Sequence, residues 1–209
     1  FGDYQSGIQA TLTGTTWHLQ LIANETFFQF KIDQLPKKYA GIIYYPQNLA
    51  TEMPLLMALR AQRIPLVVLD KQPAALAVPS IVSDNVAGGK LACNHLQQQG
   101  HERIAFLSES PFWQTFTGTV SDRFMGYFNE LNLTAKNAEL PLRWAQALQS
   151  CTNAWELQAY LQAQNITAII AENDVIALRV MRQLQEIDRS IMSTIALIGF
   201  DNLPAAARN

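Results

Sequence analysis

The chain has 209 residues, 49% of them hydrophobic and 15% charged, with a net charge of −2 and an isoelectric point of about 5.9. That apolar content supports a sizeable core and excludes a disordered chain, while Lys and Arg never cluster beyond Lys37-Lys38, which excludes a surface that grips DNA directly. The two cysteines, Cys93 and Cys151, lie far apart and outside any Cys/His cluster, so neither a zinc site nor a disulfide is called for.

Residues 2–13 carry Ile8 and Leu12 on one helical face and predict a short helix. Residues 17–23 (WHLQLIA) alternate and stop at Asn24, which predicts a strand. Helical spacing returns over 26–35, and residues 41–45 (GIIYY) read as a buried strand closed by Pro46. Thr51 is placed to cap a helix reaching residue 62, with Pro54 tolerated in a first turn whose N–H groups lack partners anyway. Residues 65–69 (PLVVL) are a second buried strand. A helix over 86–99 follows Val82 and is stopped by Gly100, since glycine takes the left-handed conformation beyond a helix end at little cost. Strands are then predicted at 103–107, 141–144, 166–171 and 195–198, with helices at 121–131 (capped by Ser121), 153–163 (capped by Asn153) and 174–185 between them. Strands alternating with helices predict an α/β fold of parallel sheets, and short apolar strands fit sheets covered by helices on both faces. In such sheets ligands bind at the carboxyl ends of the strands.

Those ends hold the candidate residues. Asp84 or Asn85 caps the helix after Val82, with Gly88 and Gly89 in its first turns. Their spacing matches neither a P-loop nor a dinucleotide fingerprint, so tight packing of helix on sheet is preferred over a phosphate cradle. A loop over 108–120, with Phe112, Trp113 and Phe116, leads to Arg123. Its guanidinium can donate a bidentate bond to vicinal hydroxyls or a carboxylate; the alternative is a surface ion pair. Beyond the next strands stand Glu172-Asn173-Asp174 and Asp201. Asp174 is read as a helix cap, Asn173 and Asp201 as contacts to a hydroxyl-bearing ligand. Trp144 is either core or a platform for the apolar face of a sugar ring. The histidines, His18, His95 and His101, form no Ser-His-acid order and no metal spacing, so no enzyme, metal or cofactor is expected. No apolar run is long enough to span a membrane and no signal peptide opens the chain.

Four segments, in order, resemble the lactose/galactose-repressor family of transcriptional regulators. The first is Ser83-Asp84-Asn85, Gly88, Ala92, His95-Leu96, Gly100-His101 and Ile104-Ala105-Phe106. Arg123, Gly126-Tyr127 and Leu131 form the second; the third spans 167–174 with Ala177, and the last is Ile198-Gly199-Phe200-Asp201. The resemblance implies a two-lobe fold like the type I periplasmic sugar-binding proteins, each lobe a parallel sheet flanked by helices. It implies an N-terminal lobe over 1–107 and a C-terminal lobe over 108–209. It further implies a cytoplasmic homodimer that binds a small sugar-like effector between the lobes and operator DNA through a separate helix-turn-helix headpiece. Arg123, Asn173 and Asp201 match family residues that hydrogen-bond the effector. Trp144 falls where relatives place an aromatic ring against it, and Phe1 near another stacking aromatic. Asp84-Asn85 is expected to be structural. The chain departs from the pattern: it is expected to be truncated at both ends, lacking the headpiece, the first strand and the final return to the first lobe, and residues 24–38 run about one helical turn short. The run 83–90 also resembles ribose-binding proteins, so a periplasmic or lipoprotein sugar-binding protein of a transporter is the alternative. The run from His95-Leu96 through Gly100-His101 to Ile104 favours the regulator.

Overall fold

Short apolar strands, each followed by a helix, set the architecture. The computed structural model describes residues 2–204. In chain order the elements are α1 (Gly2–Leu12), α2 (Asn24–Phe27), α3 (Leu35–Lys38), β1 (Ile42–Tyr44), α4 (Leu49–Ala61), β2 (Leu66–Leu69), β3 (Ser80–Ile81), α5 (Asn85–Gln98), β4 (Ile104–Leu107), α6 (Thr119–Glu130), α7 (Leu140–Ser150), α8 (Ala154–Ala163), β5 (Ala168–Ala171), α9 (Asp174–Ile187) and β6 (Ala196–Ile198). They form two three-stranded sheets, ordered β1-β2-β3 and β4-β5-β6. The pairing is parallel: Ile42 opposes Leu66, Ile104 opposes Ala168, and Ala168 opposes Ala196.

The chain divides into two units. One comprises the residues up to Leu69 with Pro73–Ser80; the other comprises Asp70–Gln72 and the residues from Ile81 onward. This corrects the expected division after residue 107. The strand β4 pairs with β5 in the second sheet, so α5 and β4 belong to the second unit. In the first unit Phe27, Leu35, Tyr44, Leu56, Leu59 and Val68 form the core. Its buried Glu52 accepts from the Tyr44 hydroxyl (2.5 Å) and from the Asn48 N–H (2.9 Å), which offsets the penalty of hiding a carboxylate.

The second unit has three layers. Along a strand successive side chains point to opposite faces. Ile104 and Phe106 of β4 therefore pack with Cys93, Leu96, Phe124 and Tyr127 of α5 and α6. Ala105 and Leu107 pack with Trp144, Leu148, Leu161 and Val180 on the other face. Every residue of β4 and β5 is buried. The chain leaves α5 through a Gly100 turn at φ 88°. There Gly100 N donates to the Gln97 carbonyl and His101 N to that of Leu96, satisfying two carbonyls at the helix end.

Several expected elements are corrected. Residues 17–23 form no strand. Trp17 and Leu21 are exposed, and among the described residues no strand pairs with this segment, so alternation has no ladder to join. In place of a helix over 26–35 there are only the short α2, a 3-10 turn at Ile32–Gln34, and α3. The predicted strand at 141–144 is the start of α7, in which Leu140, Trp144 and Leu148 repeat at helical spacing. Asn48, rather than Thr51, caps α4, accepting from Ala50 N (3.0 Å). Pro54 consequently lies inside the helix beyond its first turn, where it forgoes one backbone bond. The cap position of α6 is Gly118, and Ser121 is buried one turn within.

Candidate functional site

The parallel strands β4, β5 and β6 end side by side at Leu107, Ala171 and Ile198, and their carboxyl ends carry the polar residues of the second unit. Arg123 reaches this edge from the start of α6 and is 8% exposed. A buried guanidinium costs several kcal/mol unless charge-assisted bonds offset it. Here its Nε donates to Asn85 Oδ1 (2.8 Å), Nη1 donates to the Glu172 carbonyl, and Nη2 donates to Asp201 Oδ1 (3.4 Å). The Phe200 ring lies against the guanidinium, with the centroid 3.7 Å from Cζ. Burial works against the charge of Arg123, while the carboxylates of Asp201, Asp70 and Glu172 work for it.

The supports of Arg123 are themselves held. Asn85 Nδ2 donates to the Ser83 carbonyl (3.0 Å), fixing the amide so that its oxygen faces the guanidinium. The buried Glu172 accepts from the Ser108 hydroxyl, and its N–H donates to the Leu107 carbonyl (2.9 Å). Asp201 has φ 94° and Asn202 φ 53°; this left-handed region is expensive for a side chain, and Asp and Asn tolerate it best. Burial pushes the Asp201 carboxyl above its ordinary value, Arg123 opposes the rise, and Asp174 and Asp70 add to it.

Of the predicted ligand contacts, Arg123 and Asp201 are brought together. Asn173 stands on the neighbouring strand end, yet its Oδ1 accepts from Ile176 N (3.0 Å), so it is the cap of α9. Its Nδ2 lies 3.4 Å from Glu172 Oε1. The cap expected at Asp174 is thereby corrected. Asp174 accepts from Leu203 N (2.6 Å) through its carboxylate, and its own N–H donates to the Phe200 carbonyl (2.8 Å), which ties down the turn after β6. A Cβ on Gly199 would collide with Asp174, so glycine is required there.

Trp144 is at the other end of the sheet. Its Nε1 donates to Gln164 Oε1 (3.3 Å), and the Arg103 guanidinium lies 5.0 Å from its ring. Arg103 and Gln164 precede the amino ends of β4 and β5, and the indole is 6% exposed in the core. The structure thus gives Trp144 the core role and does not bring it to Arg123. Phe1 lies outside the described residues.

Sequence reasoning missed Asn85, Glu172 and Phe200 as partners of Arg123. Asn85 lay inside a recognised motif, and Glu172 beside a recognised pair. The aromatic nature of Phe200 carries no local signal of stacking. The two α5 glycines do serve close packing, though not against the sheet as expected. A Cβ on Gly88 would meet the Phe200 ring, one on Gly89 would meet the Arg123 carbonyl, and one on Gly126 of α6 would meet the Val86 carbonyl. Glycines on both helices let α5 and α6 approach backbone to backbone beneath the arginine. His101 Nδ1 meets Thr167 Oγ1 (3.0 Å), 66 positions away just before β5, while His95 meets Gln99 at the end of its own helix. Among the described residues no group of three or more His, Cys, Asp or Glu could hold a metal ion, and no helix is long and apolar enough to cross a membrane.

Residues 93–209 match the periplasmic binding protein-like domain family. The chain is 27% identical over 178 residues to the HTH-type transcriptional regulator MalR of Streptomyces coelicolor, covering 80% of this chain and 49% of that protein. It is 29% identical over 173 residues to the HTH-type transcriptional repressor PurR of Vibrio vulnificus, covering 81% and 50%. It spans about half the length of these relatives. In fold it is similar to a LacI family transcriptional regulator of Enterococcus faecalis solved with bound ribose (TM-score 0.67, 21% identity, 100% of this chain and 75% of that one). From the family match over more than half its length, the chain belongs to the periplasmic binding protein-like domain family.

Proposed function

We propose that this chain is the effector-sensing part of a bacterial transcriptional repressor, which binds a small sugar-like ligand at the carboxyl ends of β4, β5 and β6. The observation that carries this reading is Arg123, a buried guanidinium held on three sides by Asn85, Glu172 and Asp201 in a chain whose relatives are transcriptional regulators. A fixed fork of donors beside a half-exposed carboxylate suits vicinal hydroxyls, which accept from the first and donate to the second. Ribose in a structural neighbour is consistent with such a ligand. Asn173, already capping α9, contributes through its amide N–H groups. Control of operator DNA would be exercised through a helix-turn-helix headpiece in a cytoplasmic homodimer. The ligand must bind one conformation of that assembly better than another, or nothing shifts.

The test is thermal unfolding of the native full-length protein against pentoses, hexoses, their phosphates, and purines. A ligand at about 100 times its Kd adds about 2.7 kcal/mol, a shift of several degrees in a protein of this size. One sugar should shift the transition, and Arg123→Ala should abolish the shift. An undiminished response in Arg123→Ala would remove the arginine from the site. A response only to purines would replace the sugar by a nucleobase.

A further inference from the structure

We propose that the Arg123 site selects uncharged polyhydroxy ligands and rejects phosphorylated or carboxylated ones of the same skeleton. The inference rests on Arg123 and Asp201 being the ligand site, and adds the charge class of what binds there. It follows from how the charge of Arg123 is already used. The guanidinium is bonded to Asp201 Oδ1 (3.4 Å) and to the carbonyl of Glu172, and its Nε is taken by Asn85. One face is occupied by Phe200. The carboxylates of Asp201, Asp70 and Glu172 all bear on this one cation, and Asp174 and Asp70 bear on Asp201. The ammonium of Lys71 is bonded to Asp70 (3.2 Å), and Arg179 is paired with Glu109 just beyond β4, so neither cation is left over for an anionic ligand. All these residues belong to the second unit. The strand ends therefore carry more negative than positive charge before any ligand arrives.

A phosphate or carboxylate ligand would have to displace Asp201 from Arg123 and remain beside it. Two anions would then share one guanidinium beside a half-exposed carboxylate, and like charges in contact repel. A neutral polyol meets no such conflict. One hydroxyl accepts from the guanidinium N–H groups left over from the internal bonds, and the next donates to the Asp201 carboxylate, 45% of whose side chain is exposed. The arrangement discriminates chiefly through repulsion of the wrong ligand.

Matched pairs test this on the native full-length protein by calorimetry: ribose with ribose 5-phosphate, and glucose with glucose 6-phosphate and gluconate. The neutral member of the binding pair should bind at least about tenfold more tightly, equivalent to about 1.4 kcal/mol. Added salt should narrow the gap by screening the repulsion. Asp201→Asn should also narrow it, by improving the anion relative to the neutral sugar. Should Asp201→Asn fail to fold, the pairs and the salt series on the unaltered protein decide alone. Tighter binding of an anionic member, lost in Arg123→Ala, overturns the charge selection while leaving the site assignment standing. Failure of every member to bind overturns the sugar reading and this inference with it.

Discussion

Arg123 and Trp144 were both candidate ligand residues, and the structure separates them by end of the sheet. Arg123 stands at the carboxyl ends of the strands, Trp144 beside residues that precede their amino ends. Trp144→Ala should therefore lower stability by about 3–5 kcal/mol, the usual cost of deleting a buried aromatic, and leave ligand affinity of the folded protein unchanged. Denaturant unfolding and calorimetry on the same variant check both halves. Asp201 makes a prediction of opposite character. Its folded-state carboxyl lies above its ordinary value of 3.8, chiefly through burial. In the window between the two values the folded state holds the extra proton, so this group makes stability rise as pH falls. Asp188 and Glu156 do the reverse. Hydrogen bonds from Ser190 and from Thr152 hold these carboxyls below their ordinary range, and that stabilisation is lost as pH falls through the folded values. Stability-against-pH curves of the unliganded protein and of Asp201→Asn should differ by a slope confined to the window above 3.8; superimposable curves would deny that partial desolvation acts on Asp201.

Among the elements, the approach of α5 to α6 is the one that couples packing to the site. A methyl on Gly89 or Gly126 meets backbone on the opposite helix, which cannot rotate away as a side chain can. Gly89→Ala and Gly126→Ala should each cost at least about 3 kcal/mol, the upper end of ordinary overpacking, and lower the melting temperature by several degrees. Gly89→Ala should also weaken ligand binding in whatever folds, because the displaced atom is the carbonyl of Arg123 itself. The cap of α8 is a milder case. Asn153 accepts from Glu156 N (3.0 Å), and Asn153→Ala should cost about 1 kcal/mol without touching the ligand response.

At the scale of the molecule, the two units have separate cores, one around Leu56 and Leu59, the other on both faces of β4 and β5. Leu56→Ala and Leu161→Ala remove fully buried side chains from different cores, and each should cost about 2–5 kcal/mol. Hydrogen exchange should report the loss separately: Leu56→Ala in β1 and β2, Leu161→Ala in β4 and β5. Equal loss of protection in all four strands would mean that the units unfold as one.

The parallel α/β order, α1, the helices from α4 onward other than α7, and the places of Arg123 and Asp201 as separate candidates were legible in the sequence. Runs such as LVVL and IAFL have one buried environment available, and a motif of fixed spacing carries its own geometry. Residues 17–23 and 141–144 were misread because four to seven residues do not distinguish the strand period from the helix period. A strand needs a partner that lies elsewhere in the chain. The division between the units, the end of the sheet on which Trp144 sits, and the clasp of Asn85, Glu172 and Phe200 around Arg123 were decided only by the tertiary structure. Each depends on residues far apart in the chain, such as Arg123 and Glu172 at 49 positions, meeting through strand pairing and helix contact, and local composition cannot encode which partner is met.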